Sequence, residues 1–409
     1  MITVFENARV FDGIEESLIE NIDVIVEGEV IKGIGAVSLS GKDITRIDCR
    51  NKVLMPGLID AHVHAYTPTL DFNANDNMPA ALMANHAAAI LEGMLDRGFT
   101  SVRDAAGGDR GLFLAIEKGL IKGPRFFYPG KAISQTGGHG DLRPSDVTES
   151  CFCSSYSGLI SKVADGPDEV RKAVREELRQ GATHIKLFVS GGVFSPSDPI
   201  WMNQFTEAEI RAAVYEAETH RTYVMAHCHT DEAVRRCVEY GVRTIEHGSV
   251  ITQKTAQLMA QKGVFMVPTL SVVKVITNHA DELGLPPTGL EKADGLWDTM
   301  LQSIAICSSA GVKIGLGSDL LGAQFHPLQG GELALRGQVS SPIDVLRSAT
   351  SVNAEILRKQ GELGCIAAGA LADILVLDFD PFDDLAPFSN SESSILLLMK
   401  GGKIIRSKL

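Results

Sequence analysis

Basic residues are the minority in this 409-residue chain: 38 lysines and arginines stand against 51 aspartates and glutamates, a net charge of −13. With no basic excess there is no electrostatic footprint for nucleic acid or an anionic membrane surface, and small molecules are the expected partners. No apolar run reaches the length of about 18 residues that a spanning helix needs. The seven cysteines (49, 151, 153, 228, 237, 307 and 365) are odd in number and scattered, unlike a disulfide framework, and fit a reducing compartment. Cys151 and Cys153 have no second pair to complete a zinc site and read as loop residues. The opening MITVFENARVFDG lacks a basic segment followed by an apolar one and alternates like a strand. The expected location is therefore the cytoplasm.

What is present is a folded composition, 44% hydrophobic and 22% charged. Residues 1–55 hold short alternating runs punctuated by Gly, Asn and Asp, and LADILVLD and SILLLMKGGKIIR near the other end have the same character. The two ends are expected to share one small β domain, a sandwich of residues 1–55 and 359–409 flanking a catalytic unit at 56–358. That central unit alternates strand-like and helix-like runs. The strand candidates are 58–64, 99–105, 125–134, 183–190, 222–230, 242–250, 264–272 and 312–320. Amphipathic stretches such as DEVRKAVREELRQG, EAEIRAAVYEAETH and DEAVRRCVEYG separate several of them. Eight such alternations predict an α/β fold, a (β/α)₈ TIM barrel, with its site at the C-terminal ends of the strands.

Chemically unusual residues do fall late in their strands. His62 and His64 end the first run, His227 and His229 the fifth; His247 is late in the sixth, Asp319 closes the eighth, and His139 follows the third in GGHGD. In DAHVHA the two imidazoles are two residues apart, so a strand points both to one face, as two ligands of one metal require. An HxH pair alone is weak; four imidazoles and a carboxylate converging on one barrel mouth favour a metal centre over satisfied core histidines. Lys186, inside the buried-looking THIKLFV, is the anomaly, because an ammonium there is costly unless partnered or neutralised.

VLMPGLIDAHVHA, HIKLFVSGGVFSP, TYVMAHCHT, GVRTIEHG, GVKIGLGSD and GELGCIAAGALADILVLD together resemble the amidohydrolase superfamily, in its prolidase and imidazolonepropionase-like branch, over nearly the whole chain. The resemblance implies two divalent ions, Zn²⁺ first among them, and an N6-carboxylysine at Lys186. One ion would be held by His62, His64, Lys186 and Asp319, the other by Lys186, His227 and His247. A bridging hydroxide would attack an amide carbonyl, with Asp319 carrying its proton to the leaving nitrogen. The carbamate has its own rationale: only a neutral amine attacks carbon dioxide, and burial near cations makes that form available. The implied substrate is a dipeptide or N-acyl amino acid with a free carboxylate. His139 is expected at the scissile carbonyl or that carboxylate, with Arg143 a further candidate. His229, a further substrate-binding candidate, stands where prolidase-like members often carry a carboxylate-binding tyrosine, which argues against strict proline specificity; an ochratoxin-type amidase acting on bulky N-acyl-phenylalanines is one alternative. Lactone hydrolysis by the same centre and a non-catalytic scaffold are the alternatives; deamination is disfavoured, because Lys186 is present and HCHT carries no catalytic glutamate. The resemblance also implies a homo-oligomer. His86, His184, His220, His279 and His326 read as structural or surface residues, and Trp201 as packing or lining an apolar pocket.

Overall fold

The computed structural model describes residues 2–35, 43–143, 159–193, 198–279, 293 and 295–409. Cys151 and Cys153 lie outside the described residues; the other five cysteines are buried free thiols. Among the described residues no helix is long and apolar enough to cross a membrane.

The expected barrel is present. Leu58–Val63, Phe99–Asp104, Ile185–Phe188, Val224–Cys228, Thr244–His247 and Phe265–Val267 are buried strands, and neighbours pair in parallel. Their β-branched and apolar side chains pack outward on amphipathic helices, of which Gly166–Arg179, Glu207–Thr219 and Asp231–Tyr240 match the expected segments. Local chemistry sets the helix ends. Thr206 and Glu209 form a capping box, Thr230 accepts from the Ala233 N–H, and Gly241 closes its helix at φ 98°. Each Val, Leu or Ile fully buried in this wall contributes about 1.5–3 kcal/mol.

Three runs depart from the expectation. The third is split: Arg125–Phe127 pairs with the second strand, Ala132–Ser134 with the fourth. Pro129 has no N–H and Gly130 is left-handed at φ 72°, which interrupts the ladder between them. A short strand, Ser161–Val163, which the sequence did not suggest, pairs with Ala132–Ser134. The seventh strand ends at Val267 instead of continuing to 272, because Pro268 follows and a helix, Leu270–Asn278, begins. The eighth run is extended chain without a continuous ladder. It closes the barrel through a bridge from Ile314 to Met266 and through the Ala61 N–H to Leu316 O and Asp319 N–H to His62 O hydrogen bonds. Gly317 permits this approach, since a Cβ there would lie 2.6 Å from His62 Cβ.

The two ends of the chain do share one β unit. Ile2–Val10 pairs antiparallel with Ile19–Glu27 and in parallel with both Ile44–Asp48 and Val53–Pro56. Ile374–Leu377 joins Val53–Pro56, and Ile395–Lys400 and Lys403–Ser407 extend the same eight-stranded sheet. Phe5, Val24, Ile31, Leu54, Val376 and Leu397 bury a common interior.

Candidate metal centre

The strand ends meet around a cavity of about 100 Å³. From the first strand His62 and His64 point to one side, as their two-residue spacing requires, and Asp319 faces them. Its Oδ1 is 3.3 Å from His62 Nε2 and 3.0 Å from His64 Nε2. His62 is oriented from behind. Its Nδ1 lies 2.8 Å from Glu246 Oε2, and Arg103 Nη2 donates to both oxygens of that carboxylate at 2.9 and 3.0 Å. Arg103 Nε also donates to Ala61 O at 2.6 Å, and Thr244 Oγ1 donates to Glu246 Oε1 at 2.6 Å. Burial pushes the Glu246 carboxyl up, but the Arg103 and His62 charges outweigh it and hold the carboxyl down at about 2. Arg103→Met would leave a buried anion without its partner, and the expected loss is about 3–5 kcal/mol of unfolding free energy, read by urea titration.

On the other side His227, His229 and His247 offer one ring nitrogen each, all within 4.8 Å of one another. Simple alternation puts His247 on the face opposite Glu246. The backbone turns left-handed at His247, φ 69°, and so brings the imidazole to the cavity. Asp319 is left-handed too, φ 54°. Non-glycine residues in this region store about 1–3 kcal/mol each, and both stand where ligands were expected. Burial, reinforced by neighbouring imidazoles, holds His227 and His247 well below the ordinary histidine range and His229 at about 3, so their lone pairs are free of protons at neutral pH. The imidazoles near Asp319 hold its carboxyl well below its usual value against the opposing effect of burial.

Lys186 lines the same cavity, 1% exposed. Burial lowers its ammonium to about 8, with Glu246 and Asp319 opposing. The neutral amine is therefore more accessible at neutral pH than in an exposed lysine.

His139 stacks on His227 with ring centroids 4.3 Å apart, and its Nδ1 is 3.3 Å from buried Asp198 Oδ2. Gly192 lies against it: a Cβ there would be 2.1 Å from His139 Cε1. Gly192→Ala is therefore expected to swing the imidazole aside and lower kcat/KM by roughly 10²-fold with bound metal unchanged, as steady-state kinetics and metal analysis would read. Arg143, the further candidate for the substrate carboxylate, sits apart from these side chains. Its guanidinium is held bidentately by Asp141 at 2.7 and 2.6 Å and does not line the cavity. Trp201 does not line it either, being 74% exposed. His184 is structural as expected, its Nε2 donating to Asp104 O at 3.0 Å.

Sequence reasoning missed Glu246, Arg103, Ser249, Thr269 and Asp198. The available signal was a glutamate and an arginine inside two buried strands, which demand each other as partners. The donor set fits a pair of cations. His62 Nε2 and His64 Nδ1 are buried without a hydrogen-bond partner among the described residues. The imidazoles and Asp319 form two separate ligand groups, His62, His64 and Asp319 on one side and His227, His229 and His247 on the other, in the cavity that Lys186 also lines.

A model described as "Amidohydrolase family" matches residues 53–405. Ochratoxinase of Aspergillus niger is 30% identical over 99% of this chain and 87% of its own length. A crystal structure of a prolidase complexed with N-methylphosphonate-L-proline is 44% identical, with a TM-score of 0.95 and full coverage of both chains. A Xaa-Pro dipeptidase with bound methionine in its active site is 28% identical, with a TM-score of 0.88 and full coverage of both.

Proposed function

The chain belongs to the amidohydrolase family, and from that premise we propose that it hydrolyses the amide bond of dipeptides or N-acyl amino acids beside a free carboxylate. One observation carries the reading: two ligand groups, His62, His64 and Asp319 and then His227, His229 and His247, share a cavity with a buried lysine. Likeness to a prolidase and an ochratoxinase supports it. His62, His64, Asp319 and Lys186 would hold one divalent ion, zinc by preference for imidazole, and Lys186, His227 and His247 the second, with Lys186 as its carbamate. Such a pair, when bound, polarises the amide carbonyl and makes water acidic enough to attack at neutral pH.

The residues supply the rest. Asp319 accepts the proton of the attacking water on a carboxylate oxygen and passes it to the amide nitrogen, which leaves only when protonated. His139, oriented by Asp198, binds the scissile carbonyl or the carboxylate. Glu246 and Thr269 hold the His62 and His247 rings by Nδ1, so neither has to reorient during turnover.

A second observation refines the substrate. The outer wall is Phe72, Leu142, Val272, Val273, Ile276 and Met300, and no arginine lines the cavity among the described residues. This favours a bulky apolar acyl group, the ochratoxin type of substrate, over a short polar dipeptide. The test is a panel of Xaa-Pro dipeptides, Xaa-Arg and Xaa-Lys peptides and bulky N-acyl-phenylalanines, assayed with Zn²⁺ and after chelation. Turnover of the last group that chelation abolishes is expected. No turnover of any would end the amidase reading and point to a lactonase or other hydrolase. Less than about one equivalent of metal in protein purified without chelator would point to a scaffold.

A further inference from the structure

We propose that Glu332, which does not line the cavity, is a specificity-determining positioning residue: it fixes the helix Leu270–Asn278, whose inward face forms part of the apolar wall against which the acyl group packs. This role rests on the amidase reading above. It names a residue that governs which acyl groups that site accepts.

The helix has an unusual start. A threonine at the N-cap ordinarily accepts an N–H of the first turn. Thr269 stands there and caps nothing; its buried hydroxyl lies 2.8 Å from His247 Nδ1 instead. Leu270 and Ser271 are buried as well, so their N–H groups need a partner other than water. Glu332 takes one on each oxygen: Oε1 accepts from the Leu270 N–H at 3.1 Å and Oε2 from the Ser271 N–H at 2.6 Å. A carboxyl can accept on both oxygens at once, which an amide, with a single oxygen, cannot do. Thr269 is thereby released to hold the imidazole.

Glu332 is itself held in place. It is fully buried in the short helix Gly331–Arg336, next to Leu333, which packs into the barrel core. The start of that helix is pressed on the Ala386–Asn390 turn, where a Cβ on Gly330 would lie 2.1 Å from Phe388 O. Its other end is tied to the eighth run, with Arg336 Nη1 donating to Gly315 O at 2.9 Å. The substrate wall thus takes its position from parts of the fold remote from the chemistry.

From the fixed start the wall follows by helical spacing. Val272, Val273 and Ile276 face the cavity, and Thr269 lines it one turn before. A helix held at its first two N–H groups keeps those three side chains at a set depth. One released there can tilt, and an apolar pocket discriminates by as little as one methylene.

The experiment uses the full-length Zn²⁺-loaded protein and two substrates with the same leaving amino acid: a bulky aromatic N-acyl-phenylalanine, and N-acetyl-phenylalanine, whose acyl group is too short to reach the wall. In Glu332→Gln the kcat/KM of the bulky substrate relative to the small one should fall roughly 10-fold, through the KM of the bulky one. Hydrogen exchange over Leu270–Asn278 should quicken in the same variant. Glu332→Asp, which keeps the carboxyl on a shorter arm, should give a smaller fall, and it decides the question if circular dichroism shows the glutamine variant unfolded. An unchanged ratio in a folded variant overturns the proposal. So does an equal loss on both substrates together with loss of metal, which would mean that Glu332 acts through His247 alone. If the wild type hydrolyses neither substrate, the amidase reading falls and takes this proposal with it; if it hydrolyses both and the variants keep its selectivity, only the proposal falls.

Discussion

Lys186→Ala is expected to lose turnover by roughly 10³-fold or more, the scale of removing a group that acts in the transition state, and to regain part of it in a short carboxylic acid. Lys186 lies in the middle of the Ile185–Phe188 strand and lines the cavity beside both histidine groups. Truncation leaves a space at the cavity floor that a small carboxylate can enter, and such an ion offers the two oxygens a carbamate would have offered. Rescue should follow the size of the acid, because the space vacated is that of one side chain. The kinetics would be measured at saturating metal with and without added formate, acetate and propionate. Near-normal activity without any acid would reject the bridging role.

Asp319→Asn should lower kcat by roughly 10²- to 10⁴-fold, the range for losing a positioned acid–base group. The amide keeps the shape and the left-handed backbone but cannot take a proton, and it withdraws negative charge from His62 and His64 at 3.3 and 3.0 Å. Metal content separates the two contributions. If the ion facing His62 and His64 stays bound while kcat collapses, the proton transfer is what was lost; wild-type kcat would remove Asp319 from the chemistry. The double variant with Lys186→Ala should be little worse than either single change, because residues serving one step are not additive.

The barrel was readable because a buried parallel sheet needs continuous apolar, β-branched runs and each crossover needs an amphipathic helix, two patterns that occupy different periods. The residues expected to carry chemistry were readable as polar interruptions late in those runs. Lys186 stood out because it violates the burial rule of its strand. The rest depended on three-dimensional pairing. Glu246 is in TIEHG beside a histidine that drew all the attention, and only the meeting of the sixth, second and first strands gives it Arg103 and His62 as partners. The partner of Arg143 was local but equally unread: Asp141, two residues earlier, accepts from its guanidinium. The eighth run looked like a strand by composition, yet its glycines replace a ladder with a close passage of bare backbone.

That passage has a mechanical consequence. The barrel closes where the 312–320 segment meets the first strand through isolated hydrogen bonds, one of them from the Asp319 N–H to His62 O. A cation gripped by His62, His64 and Asp319 would clamp this seam shut from the inside. Occupancy of the site would then set how tightly the cylinder is sealed, so that loss of metal loosens the scaffold first at the place where the reaction is carried out.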